Sequence, residues 1–401
     1  MNAQSPRFGL FDSLRGMAAL GVVGVHLAFA EGAITKPGYG PYLANLNIGV
    51  NIFFLVSGFL LYRPFVAARF AGAAMPSVTA YGIRRAFRIV PTYWVALAIV
   101  TVWLPLTAVR ADPLTYFGFA QSYNYGSLIH GYGPAWTLCV EVVFYVALPV
   151  WAFAMRRLPG TSVRWLVATE LAALIPVFAF AVGWNDAHAH VVRGFIPFTP
   201  ALATLPAYLD QLALGMALAV ASVALADRDT QPALVRLVHR APGLPWLIAA
   251  GGWVALVNMS LGAEAGRHVL SGIIAFFLLV PAVFGDDRTG AVRRFLADRR
   301  LQWVGLVSYS FYLWHSAILD KLKQAGLDDH VGWLGFTIAT YALGLTAAAA
   351  SFYVVERPGL RFGRRLAGRA GYQEPDRPPP GAVDRPGAPS IELAGADRPA
   401  P

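Results

Sequence analysis

The chain is 401 residues long, 57% hydrophobic and only 13% charged, with a formal charge of +10, a pI near 9.9 and a mean hydropathy of +0.52. An ordinary soluble protein has about a quarter of its residues charged, so this composition excludes a soluble globular domain and calls for a bilayer. The single cysteine, Cys139, excludes an internal disulfide framework and a cysteine-based metal cage.

About ten stretches approach the twenty residues that a helix needs to cross a hydrocarbon core. They run over 14–31, 46–62, 89–109, 134–155, 165–183, 201–222, 244–261, 268–285, 302–320 and 333–355. The expected fold class is therefore all-α and polytopic. With a cytoplasmic N-terminus, the arginines from Arg7 and Arg15 through Arg84, Arg85 and Arg88 to Arg299, Arg300 and Arg357 fall inside. Only Lys36, Arg110, Arg193, Arg267, Lys321 and Lys323 fall outside. That bias is expected of an even number of spans with both termini cytoplasmic, and it accounts for the positive charge without nucleic acid. A cleaved signal over the first span is a rival reading, but cleavage would invert every later loop and spoil the bias. Residues 1–360 form the expected membrane domain. Residues 361–401 are basic and then Pro-rich, and from about Gly371 they carry too few large apolar residues to fold, which gives a disordered cytoplasmic tail.

The informative residues are the polar ones within spans, since an ionisable group at the centre of a spanning helix costs roughly 2.5–3.5 kcal/mol and is a functional candidate. In "FDSLRGMAALGVVGVHLAFA", Arg15 and His26 stand eleven residues apart, nearly on one face and about 16 Å apart along a helix. One long ligand with phosphates at one end and a reactive group at the other would touch both. Equally, Arg15 could snorkel and His26 could cap a carbonyl. Glu141, in "GPAWTLCVEVVFYVALPVW", is placed by span counting at a depth similar to that of His26. A carboxylate beside a histidine raises its basicity and holds one tautomer, whereas a structural hydrogen bond to another helix is the plainer role. Arg85 and Arg88, one turn apart in "YGIRRAFRIVPTYW", suit polyanionic phosphates; Arg84 fits the charge bias alone. His315 with Tyr312, in "VGLVSYSFYLWHSAIL", and Trp136 are expected either to wall the same cavity or to form an interfacial aromatic belt. Ser57 lacks a nucleophile elbow, so Ser57-Gly58 reads as packing. Glu170 and Asp210 look less organised, although Pro206 points to a broken helix beside Asp210. No Walker, Rossmann or H-E-x-x-H pattern occurs, and no metal site is expected.

These stretches together resemble the acyltransferase-3 family of bacterial multi-pass membrane proteins. The resemblance spans about 10–360 and rests on "DSLRGMAALGVVGVH", "GVNIFFLVSGF", "RRAFRIVPTYW", "WTLCVEVVFY", "VGLVSYSFYLWH" and "FYVVERP" in that order. It implies a membrane O-acyltransferase in the bacterial cytoplasmic membrane, with no permanently bound cofactor. The implied donor is cytoplasmic acyl-CoA, acetyl-CoA being the expected form. The implied acceptor is a hydroxyl of a glycan, glycolipid or secondary metabolite in or near the cell envelope. The family's histidine corresponds to His26, its carboxylate to Glu141 and its arginines to Arg15, Arg85 and Arg88. Glu356 matches the closing motif and is expected to be structural, paired with an arginine. Asn51 stands where an aspartate is common, and Cys139 and Val142 depart from the usual flanks of the carboxylate.

The implied mechanism has Arg15, Arg85 and Arg88 hold the CoA phosphates while the pantetheine arm follows the first span to His26. His26, steadied by Glu141, then deprotonates the acceptor or is itself acylated first. The outer loop 110–134, rich in Tyr, Asn, Gln and Ser, suits a sugar, or serves as interfacial anchoring. The alternative function is a secondary transporter using His26 and Glu141 as a proton relay. Against it stand the lack of an evident internal repeat and the clustering of arginines at one mouth.

Overall fold

A computed structural model of the chain describes residues 9–160, 162–189, 199–225, 232–260, 263–284 and 290–370. Arg7, Arg193, Arg228, Arg288 and the tail from Gly371 lie outside the described residues. Each of the ten expected spans contains a helix. They are α1 (Gly9–Ala30), α2 (Ile48–Phe70), α3 (Val78–Trp103), α4 (Trp136–Arg157), α5 (Val163–His188), α6 (Leu209–Ala224), α7 (Leu244–Asn258), α8 (Glu264–Val283), α9 (Ser308–Gln324) and α10 (Leu327–Ser351). A further helix, α11 (Arg357–Arg369), follows. Among the described residues eight helices are long and apolar enough to cross a membrane, while α7 is apolar but shorter. Their outward faces carry large apolar residues such as Val146 (69% exposed), Ile175 (66%) and Leu334 (63%), a surface that fits lipid rather than water.

Helix α1 is central. Leu10, Leu14, Ala18, Val22 and Val25 are buried on it, in contact with elements from both halves of the chain. It runs beside α9 in the same direction. At its start the Asp12 carbonyl lies so close to Gly305 that a Cβ there would stand 1.7 Å away. At its end Lys323 reaches the Ala30 carbonyl and Glu31, the latter at 3.2 Å. Helices α1, α2 and α6 touch through their backbones: a Cβ on Gly49 would meet the Ala18 carbonyl at 2.3 Å, and one on Gly215 would meet the Leu55 carbonyl at 2.1 Å. Without a hydrophobic force between helices in lipid, such small-residue contacts gather dispersion energy by close approach. Gly58, against the Leu212 carbonyl, takes the packing role that the sequence assigns it.

Several boundaries differ from the sequence reading, each for a local reason. Helix α3 begins at Val78 rather than 89, because Ser77 caps it by accepting from the Ala80 amide at 3.2 Å. Arg84, Arg85 and Arg88 are thereby built into one rod. The expected span 302–320 is broken at Val307. Asp298 caps a separate helix, Arg299–Leu306, which lies against the start of α1. The expected tail boundary at 360 falls inside α11, whose Gly363 packs on Phe87 of α3. A π-helical turn over Phe352–Glu356 joins α10 to α11 and turns Glu356 fully inward. Helix α6 follows a 3-10 turn, Leu205–Tyr208, as the broken helix near Pro206 requires.

Candidate functional site

The polar groups inside the bundle fall into two layers. The first is charged and lies toward the arginine-rich end. Arg15 is 3.8 Å from Asp12 and within electrostatic reach of Arg88, Glu356 and Glu141. Arg88 donates to Glu356 at 2.8 Å and sits over the Tyr309 ring, 5.8 Å from its centroid. Ser310 donates to the other Glu356 oxygen at 2.7 Å, so this fully buried carboxylate is satisfied on both sides. Arg85 lies over the Tyr145 ring at 5.8 Å, and its buried Nε has no hydrogen-bond partner among the described residues. Tyr145 donates to Glu141 at 2.6 Å, and Ser57 donates to the same oxygen at 3.2 Å. The layer thus holds two arginine–carboxylate pairs, Arg15–Asp12 and Arg88–Glu356, with Arg85 and Glu141 joined through Tyr145.

The second layer is neutral and aromatic. His26 and His315 face each other with ring centroids 4.9 Å apart. The His26 Nδ1–H donates to the Val22 carbonyl at 2.8 Å, and the His315 Nδ1–H donates to the Tyr312 carbonyl at 2.6 Å. His315 Nε2, then carrying a lone pair, stands 3.3 Å from His26 Nδ1. One assignment of protons satisfies all three contacts, and it leaves the lone pair of His26 on Nε2, where a base needs it. Tyr312 donates to the Pro134 carbonyl at 2.8 Å and accepts from Thr137 at 2.9 Å, which ties α9 to the start of α4.

Glu141 and His26 are not brought together. Thr137, one turn from Glu141 on α4, is level with Tyr312, and Tyr312 lies nearly one turn from His315 on α9. At 1.5 Å per residue, Glu141 therefore sits about 10 Å nearer the arginine-rich end than the histidines do. The span count misplaces it because α4 starts beneath a folded segment. Within that segment the 3-10 turns Gln121–Tyr123 and Gly133–Ala135 pack against the start of α4. In that segment Tyr116, Gln121, Ser122 and Tyr132 point inward and are buried. Tyr93 donates to the Tyr116 carbonyl at 2.8 Å, and Ser122 donates to the Trp136 carbonyl at 3.3 Å. Tyr123 and Tyr125, each 56% exposed, and Asn124 between them keep the open character expected of a sugar-facing loop. His315 and the Val22 carbonyl hold the His26 ring, and among the hydrogen bonds of the described residues Glu141 accepts from Tyr145 and Ser57 instead. Arg85 and Arg88 do share a face, yet Arg88 is answered by Glu356, which leaves Arg15 and Arg85 facing inward with less compensation. Trp136 turns to Tyr208, with ring centroids 5.4 Å apart.

Two buried clusters were hidden from sequence reasoning. Glu170 accepts from Arg69 at 2.5 Å and from Tyr62 at 2.5 Å, and Trp151 donates to Tyr62 at 3.1 Å. Asp210 pairs with His268 at 3.0 Å. The signal available was the expense of each lone carboxylate in a span; its partner lay on a helix that no spacing rule reaches. Among the described residues no group of three or more His, Cys, Asp or Glu could hold a metal ion.

A bundle of apolar helices enclosing a charged layer at one end and a histidine pair further along defines a multi-pass membrane protein. The family model described as an acyltransferase domain, that of acyltransferase-3, matches residues 9–354, and the chain belongs to this family. It is therefore a membrane acyltransferase. It is similar to the exopolysaccharide production protein ExoZ of Rhizobium meliloti (strain 1021), 26% identical over 338 residues, 80% of this chain and 94% of that one. It is similar as well to the acyltransferase MdmB of Streptomyces mycarofaciens, 27% identical over 397 residues, 90% of this chain and 93% of that one. A third relative is the putative membrane-bound transacylase BcsY of Komagataeibacter xylinus, 24% identical over 394 residues, 88% of this chain and 83% of that one. No solved structure matches.

Proposed function

We propose that this protein is a bacterial cytoplasmic-membrane O-acyltransferase. In this reading the arginine-rich end and both termini are cytoplasmic, acyl-CoA with acetyl-CoA as the expected form is the donor, and a carbohydrate hydroxyl presented at the opposite end is the acceptor. The observation that carries the reading is the separation of the two layers along α1. Arg15 lies in the charged layer and His26 in the histidine pair, eleven residues and about 16 Å apart. A donor with its phosphates at one end and its thioester at the other spans such a distance.

Arg15 and Arg85 bind the anionic end of the donor by charge-assisted hydrogen bonds, while Glu356 fixes Arg88 as part of the frame. Glu141 and Tyr145 orient Arg85 and limit the positive charge of the empty layer. At the other layer, His26 Nε2 takes the proton from the acceptor hydroxyl as that oxygen attacks the thioester carbonyl. The carbon–sulfur bond breaks, and the proton passes from His26 to the departing CoA sulfur. His315 holds the His26 ring and its tautomer. The names of the relatives, one concerned with exopolysaccharide production, favour a carbohydrate acceptor.

The test is release of CoA thiol from acyl-CoA by detergent-purified protein with an envelope extract as acceptor source. His26→Ala should lose about 10²–10⁴ in turnover, the usual worth of a general base, while still binding acyl-CoA. Arg15→Ala should mainly weaken donor binding. Equal activity in wild type and His26→Ala sinks the reading.

A further inference from the structure

At the end of the bundle opposite the arginines, α6 and α8 bring together a second histidine and carboxylate. Asp210 is fully buried. His268 Nε2–H donates to Asp210 Oδ1 at 3.0 Å, and the Gln211 amide donates to Asp210 Oδ2 at 2.9 Å and to the His268 carbonyl at 3.3 Å. With both carboxylate oxygens accepting, the proton of the His268 ring is fixed on Nε2. The lone pair then lies on Nδ1, which is not buried and makes no hydrogen bond among the described residues. The His268 side chain keeps 16% of its surface open.

That open nitrogen ends a wall of rings. The His268 ring meets Tyr208 edge-on, 5.6 Å between centroids and 62° between planes. Tyr208 lies tilted on Trp136 at 5.4 Å. The next residue of α4, Thr137, donates to Tyr312, whose ring is 5.6 Å from His315. His268, Tyr208 and Trp136 are each partly exposed, Tyr208 also packs on Phe54 at 4.6 Å, and the run of contacts continues through Thr137 and Tyr312 to His315.

We infer that His268, Tyr208 and Trp136 form an acceptor subsite for a carbohydrate, taking a sugar unit next to the one that is acylated. The tie between α6 and α8 is made by Asp210 on His268 Nε2 and by Gln211 on the His268 carbonyl; it leaves the Nδ1 lone pair unused and does not account for the partly exposed edges of the Tyr208 and Trp136 rings. A pyranose offers apolar C–H faces to aromatic rings and hydroxyls to a neutral nitrogen acceptor, which is the combination displayed. A hydrocarbon tail has no use for the lone pair. This inference rests on the acceptor reading given above. The same chemistry serves a free oligosaccharide or the glycan of a lipid-linked precursor.

The full-length protein, purified in detergent, is tested for direct binding to a panel of bacterial exopolysaccharide fragments, both free and lipid-linked, with acyl-CoA affinity measured in parallel. Wild type should bind at least one glycan. Tyr208→Leu and His268→Leu should weaken it about tenfold, the scale of one aromatic contact, with acyl-CoA affinity retained as the check on folding. Tyr208→Phe, which keeps the ring, should bind within about twofold of wild type while Tyr208→Leu does not, a contrast that apolar packing alone does not produce. In turnover, Tyr208→Leu should raise the acceptor KM while kcat holds. Binding of lipid-linked glycan alone identifies the source and upholds the subsite. If wild type binds acyl-CoA but no glycan in either form, or if Tyr208→Leu binds as wild type does, the subsite is overturned. If wild type binds no acyl-CoA, the donor reading fails instead.

Discussion

His26 has one N–H to give, and the structure spends it on Val22 and His315 rather than on a carboxylate. Two neutral groups thus hold the ring of the proposed base, while Glu141, about 10 Å nearer the arginines by helix rise, accepts from Tyr145, whose ring lies under Arg85. Two expectations separate these roles. His315→Ala should lower kcat by up to about a hundredfold through a mispositioned His26 ring, with acyl-CoA affinity little changed. Glu141→Gln should do the reverse, raising the acyl-CoA KM and leaving the pH profile of kcat where it was. A shifted profile in Glu141→Gln would show that the carboxylate does act on the histidine. Arg15, His26, Glu141 and His315 were legible in the sequence as expensive polar residues inside spans, and Arg85 and Arg88 as a basic pair at the entry of the third. Their partners were not, because pairing depends on how deep each span starts. The start of α4 is set by a lid that carries no long apolar run.

At the scale of elements, the junction between α10 and α11 shows how a backbone irregularity serves a charge. The π turn over Phe352–Glu356 rotates Glu356 into the bundle, where Arg88 and Ser310 occupy its two oxygens. Breaking a buried ion pair leaves one charge uncompensated, at a cost of about 3–5 kcal/mol. Arg88→Ala and Glu356→Ala should each lower thermal stability in detergent. The double variant should be less impaired than the sum of the two, and simple additivity would show that the pair is not coupled. The sequence motif led to the expectation that Glu356 would meet an arginine. It could not say that this arginine would be Arg88. Helix starts were legible where a capping residue stands, as at Ser77, once the apolar run is no longer taken as the helix itself.

At the scale of the molecule, the charge bias and the helix count set the proposed topology, and the chain makes that easy to check. Cys139 is buried and is its sole cysteine. Cysteines introduced at exposed positions therefore report sidedness with little background. Residues replaced at Tyr39 and Tyr123 should react with a membrane-impermeant maleimide on intact cells, whereas those at Arg157 and Arg369 should react only after permeabilisation. Labelling at Arg369 without permeabilisation would overturn the cytoplasmic placement of the C-terminal helix.

The glycine contacts among α1, α2 and α6 have a mechanical consequence. Where two backbones meet at Gly49, Gly58 and Gly215 there is no side-chain layer to compress, so these three helices form a stiff wall. Helix α3, α4 and the segment over them are held by long side chains and single hydrogen bonds, such as Tyr93 to the Tyr116 carbonyl and Trp94 to the Phe117 carbonyl. Widening of the bundle to admit the proposed donor should then come from the α3 and α4 side rather than from the wall that carries His26.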